Sequence, residues 1–107
     1  MIQNVLIDSV NYRIEETDEP IIIERKECGG GVFYNESLIK VGNFLKGDAK
    51  TKVLMHEIIH AILFERGMSE ASEDEILVEE LAKGFLNLIR MNPALISFIR
   101  DGVGKNG

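Results

Sequence analysis

The sequence predicts an α+β fold: a small antiparallel or mixed β-sheet made of N-terminal hairpins, followed by two long helices and a short third one. Three observations carry that expectation. Short β-branched and aromatic runs, broken by turn residues, fill the chain as far as Val41. From Asp48 the apolar residues recur at helical spacing, and Asn92-Pro93 divides a long helical pattern from a short one.

In "IQNVLIDSVNYRIE", Ile2 to Glu15, two strand-like runs flank the polar Asp8 and Ser9, which predicts a hairpin. The acidic "EETDEP" ends at Pro20, and "IIIER" after it is too short for a helix; it reads as a strand or a buried loop. In "ECGGGVFYNESLIKVGN" a turn-like Asn35 to Ser37 separates Val32-Phe33 from Leu38, Ile39 and Val41, a second hairpin-like pair. Gly29 to Gly31 are either a flexible lead-in or a place where another segment comes close to the backbone. A phosphate-binding loop is the weaker reading, because no helix follows the glycines and no Lys-Ser/Thr pair closes them.

From about Asp48 to Arg66, Val53, Leu54, Ile58, Ala61, Ile62 and Leu63 form an apolar helical face, with Asp48 as the expected N-cap and Gly67 as the stop. A second helix is expected from Ser69 or Ser72 to Met91, with Leu77, Val78, Leu81, Ala82, Phe85, Leu88 and Ile89 on one side. Pro93 starts a third helix, and "GVGKNG" reads as a frayed tail. The expected organisation is one domain over residues 1–101 and a flexible tail over 102–107.

The chain has 107 residues, enough for a single core without disulfide staples. Lys plus Arg number 12 against 18 Asp plus Glu, and a net charge of −6 argues against binding a phosphate backbone, so nucleic acid is not an expected partner. The lone Cys28 has no internal disulfide partner, which favours a reducing cytoplasm. There is no leader-like N-terminus and no apolar run approaching the roughly 18 residues of a membrane span, so no membrane association is expected.

Both histidines of the chain fall in "LMHEIIHAILFERG", and His56-Glu57-Ile58-Ile59-His60 has the pattern HExxH. Residues i and i+4 project from one helix face, so two imidazole nitrogens can converge on one ion. Glu57, beside the first ligand, can reach a metal-bound water without occupying the metal; it takes the water's proton and passes it to a leaving amine. A catalytic Zn2+ needs a third protein ligand and an open position. With no further histidine and only the distant Cys28, that ligand must be a carboxylate, and "SEDEILVEELAKGF" supplies Glu73, Asp74, Glu75, Glu79 and Glu80. On a wheel of about 100° per residue centred near Phe85, Glu75 borders the apolar stripe beside Ala82, Glu79 lies a step further round and Glu80 points away. Glu75 and Glu79 share a face, so one can bind the ion while the other supports a ligand histidine. Glu75 has a second reading, as partner of Ser72 in a capping box, and Glu79 as an ordinary solvated residue. A helix beginning at Ser69 brings Glu75 alongside His60; one beginning at Ser72 favours Glu79.

With these residues in view, the sequence resembles the gluzincin-type minimal zincins, and most of all the ImmA/IrrE-like metallopeptidases often encoded by phages and mobile elements. The resemblance is carried by "TKVLMHEIIHAILFERG" and "EILVEELAKGFL", preceded by "GVFYNESLIKV", and spans roughly Gly31 to Leu86. It implies a zincin fold with Glu75 as third ligand and Glu79 supporting it. Val78 stands where the family commonly has Ala. The resemblance also implies that a strand before the active helix, Val32 to Asn35 or Leu38 to Val41, pairs with extended substrate backbone.

The expected function is that of a cytoplasmic zinc metallopeptidase cutting a specific protein partner, for which the resemblance suggests a phage or mobile-element repressor. The alternative is a catalytically silent, metal-stabilised binding or virion-associated protein on the same scaffold. For an oxyanion-stabilising side chain only Tyr34 and Tyr12 are on offer, and ordinary packing is the better expectation for both.

Overall fold

The structure is a computed structural model, and it describes residues 1–102. The first expected hairpin is present: β1 (Asn4–Ile7) and β2 (Val10–Thr17) pair antiparallel, from Asn4 opposite Arg13 to Ile7 opposite Val10. Asp8 and Ser9 make its turn at positive φ, 46° and 73°. That left-handed backbone matches the right-handed twist of the paired strands.

"IIIER" becomes β3 (Ile21–Ile23), which pairs with β4 (Lys26–Cys28) across a second positive-φ turn at Glu24 and Arg25. β4 has no apolar alternation to announce it. This small hairpin is separate from the main sheet. The second expected pair is β5 (Gly30–Phe33) and β6 (Leu38–Gly42), antiparallel and joined by a 3-10 turn over Tyr34–Glu36 with Ser37 left-handed.

The main sheet has the order β1-β2-β6-β5, and it is mixed because β2 and β6 run parallel. β6 is therefore enclosed between two strands, which removes Leu38 to Val41 as a strand open to a further partner. β5 is the edge. The Gly42 N–H donates to the Gly29 carbonyl at 2.7 Å, and the antiparallel alternation then turns the backbone groups of Gly30 and Val32 outward, away from β6.

The helix α1 (Asp48–Glu65) is the centre of the molecule, and it is apolar on two faces rather than one. Ala61 packs against the sheet with Ile7, Tyr12, Ile14, Ile39 and Val41, flanked by Val53, Leu54 and Ile58. Ile59 packs the other way, against Val78 and Ala82 of α3 (Glu75–Met91), flanked by Met55 and Leu63. Tyr12, wholly buried, donates its hydroxyl proton to Glu65 at 2.6 Å and ties the end of α1 to the sheet.

Gly47, at φ 58°, is the N-cap of α1 in place of the expected Asp48. Asp48 is instead the first helical residue, and its carboxylate pairs with Arg90 at 2.7 Å and Lys52 at 3.3 Å. The C-terminus ends as expected at Gly67, φ 74°: its N–H donates to Phe64 and that of Met68 to Leu63, a Schellman closure.

The expected second helix is two helices, α2 (Ser69–Glu73) and α3, broken at Asp74. The Asp74 carboxylate accepts from the Leu77 N–H at 3.1 Å and so caps α3. The Ser72–Glu75 capping box does not form; Ser72 lies inside α2 and is buried. The apolar stripe of α3 is also displaced from its expected centre. Val78, Ala82 and Leu86 are buried, whereas Leu77, Phe85, Leu88 and Ile89 are between 40% and 46% exposed. A final helix, α4 (Pro93–Gly102), starts at Pro93 as expected and includes Gly102; the rest of the expected tail, 103–107, lies outside the described residues. Among the described residues no helix is long and apolar enough to cross a membrane.

Candidate metal centre

Two turns of α1 present His56, Glu57 and His60 to a cavity of about 1240 Å³, bounded by the β3–β4 hairpin and β5 on one side and by α3 on the other. The helical repeat alone brings the two rings together, and their Nε2 atoms stand 3.2 Å apart. Glu75, in the first turn of α3, closes a triangle with them: one carboxylate oxygen is 3.1 Å from His56 Nε2 and the other 3.0 Å from His60 Nε2. One ligand-type atom from each of the three residues lies within 4.8 Å of those of the other two. Glu79 follows one turn later on the same face, and its carboxylate meets the opposite nitrogen of His56, Nδ1, at 3.3 Å. The Asp74 break sets this arrangement, because it starts α3 at Glu75 and so gives Glu75 the shared vertex and Glu79 the position behind His56. Glu80 points away and pairs with Lys83 at 3.3 Å. Glu73 lines the cavity without joining the triangle.

The contacts of 3.0–3.2 Å among these nitrogen and oxygen atoms can be bridged by a shared proton, and the same convergence of lone pairs can be bridged by a cation. His56, His60 and Glu75 are a group that could hold a divalent ion, and a mixed nitrogen and oxygen donor set is of the kind zinc accepts. The Glu75 side chain is 67% exposed, so that flank of the triangle opens to solvent or to an incoming molecule.

Glu57 is enclosed. Burial, with smaller contributions from the Glu75 and Glu79 charges, pushes its carboxyl up to about 7, against an opposing pull from His56. None of the side-chain hydrogen bonds among the described residues ends on this carboxylate, and no fully buried polar side-chain atom among them lacks a partner. Its oxygens therefore open to the cavity that Glu57 lines. Burial also lowers the pKa of His60, which favours the neutral imidazole that a metal requires.

Gly30 explains how β5 comes so near. A Cβ there would stand 2.6 Å from Val53 Cγ1 and 3.2 Å from Glu57 Cγ, so only glycine lets the strand lie against this part of α1. Of the two readings of Gly29 to Gly31, a close approach is found at Gly30 and at Gly31, where a Cβ would stand 2.5 Å from Ile23 Cδ1, and not at Gly29.

Of the two tyrosines, Tyr12 belongs to the core and does not line the cavity. Tyr34 lines the cavity, its ring stacked on Phe64 at 4.1 Å and its hydroxyl 3.4 Å from Ser72 Oγ; burial raises its pKa and keeps it protonated. Ser72 is the site residue that sequence reasoning missed. It sits behind His60, with Oγ 3.3 Å from Nδ1 and donating to the His60 carbonyl at 3.2 Å. Its only local signal, S-E-D-E, reads as a helix cap.

No protein-family model, curated protein or solved structure matches this chain.

Proposed function

We propose that the chain is a zinc-dependent metallopeptidase on a minimal zincin fold, which hydrolyses a peptide bond in a specific protein substrate. The observation that carries this reading is the convergence of His56, His60 and Glu75 on one point, beside a Glu57 carboxylate open to the same cavity. His56, His60 and Glu75 would hold the ion, with Glu79 steadying His56 from behind. A zinc ion bound there supplies Lewis acidity, polarising a carbonyl oxygen and making water a stronger acid.

The remaining chemistry belongs to the chain. Glu57, whose carboxylate opens to the cavity beside the three convergent side chains, is the group placed to take up and then release a proton. It accepts the proton of the attacking water as the new C–O bond forms. The same proton then goes to the amine nitrogen as the C–N bond breaks. The outward backbone groups of Gly30 and Val32 give an extended peptide a strand to pair with, above the helix that bears Glu57. The setting we propose is the cytoplasm. The resemblance to the ImmA/IrrE-like metallopeptidases suggests a protein substrate such as a phage or mobile-element repressor.

The test is Glu57→Gln. The variant should keep the zinc affinity of the wild type and lose at least about 100-fold in cleavage of a co-encoded protein substrate. Wild type and variant that bind zinc equally and are equally inert toward such proteins would favour the alternative, a catalytically silent, metal-stabilised binding or virion-associated protein.

A further inference from the structure

A serine hydroxyl has one proton and two lone pairs, and Ser72 Oγ has three polar neighbours. The His60 carbonyl can only accept, and it receives the Ser72 proton at 3.2 Å. The Tyr34 hydroxyl lies at 3.4 Å and His60 Nδ1 at 3.3 Å. All three contacts are satisfied together in a single arrangement, with Tyr34 and Nδ1 both donating to Oγ. Giving the Ser72 proton to Nδ1 instead would leave two lone-pair-bearing oxygens facing each other at the His60 carbonyl. Ser72 is 6% exposed, so water has little room to repair that contact.

We infer that Ser72 is a positioning residue that holds His60 as the Nδ1–H tautomer, so that Nε2 turns its lone pair to the point shared with His56 and Glu75. Tyr34 completes the hydrogen-bond set of Ser72, and its stacking on Phe64 fixes the hydroxyl in place. The two ligand histidines are then steadied by different chemistry, a carboxylate behind His56 and a hydroxyl behind His60. This inference rests on the metal reading of the site.

The test uses the whole chain with zinc alone. In zinc-loaded wild type, nitrogen-15 spectra of the His60 ring should show a protonated Nδ1 and a metal-bound Nε2; the reverse pattern overturns the inference without any substitution. Ser72→Ala should weaken zinc binding about 10- to 100-fold in competition with a chelator while the metal-free fold, followed by circular dichroism, is kept. Ser72→Thr, which retains the hydroxyl, should recover most of the affinity. If Ser72→Ala binds zinc as tightly as wild type, the role of Ser72 is overturned and the metal site stands. A wild type that takes up no zinc overturns both.

Discussion

A carboxylic acid as enclosed as Glu57 carries its charge against the resistance of its surroundings, and that resistance is measurable without any substrate. Its pKa is about 7 in the folded chain against 4.5 for a free side chain, so between those values the native state binds more protons than the unfolded one. Stability therefore falls as pH rises through that window. Glu57→Gln lacks the titration, and in metal-free protein it should gain on wild type by on the order of 2 kcal/mol between pH 4.5 and pH 7, read from urea midpoints. A difference that stays flat across that range would show that Glu57 ionises freely. His56, Glu57 and His60 were legible in the sequence because their meeting depends on helix geometry alone. The choice between Glu75 and Glu79 was not, since it depends on where α3 starts and how it docks on α1. Ser72 was hidden by a local pattern that has a plausible meaning of its own.

At the scale of elements, the closeness of β5 to α1 decides where Glu57 stands. Gly30→Ala would drive a methyl group into Val53 Cγ1, with the Lys40 carbonyl 3.1 Å away on another side. Overpacking of this kind should cost about 1–3 kcal/mol in chemical denaturation, and the strand should move off the helix. On the proposed function, zinc affinity should change less than cleavage, because the three proposed ligands lie on α1 and α3. An unchanged denaturation midpoint would mean that the strand yields freely. The hairpins β1–β2 and β5–β6 were readable from turn residues between apolar runs. β4 was not, being three residues without alternation. The register of α3 was misjudged for a physical reason: Phe85, Leu88 and Ile89 look like core by composition, yet the surface of α1 that receives α3 is filled by the smaller Val78 and Ala82.

Across the whole molecule, a ligand that binds only the folded chain should brace it. Zinc at about 100 times its dissociation constant should add roughly 2.7 kcal/mol and raise the melting temperature by about 10 °C or more, an effect reversed by chelator. His60→Ala should show no such shift; a rise of equal size in that variant would place the ion elsewhere. The α+β class was legible, because the period of apolar residues changes once along the chain. The parallel pairing of β2 with β6 was not, since it joins two locally readable hairpins over the intervening β3–β4. That pairing leaves β5 at the border of the sheet, and the consequence reaches past the single molecule. A strand with free backbone groups does not distinguish a passing peptide from the same strand in a sister chain, and it invites self-association as readily as recognition. Gly30 and Gly31 make up half of β5, so the border offers backbone with few side chains to grip, which disfavours a lasting zipper between copies.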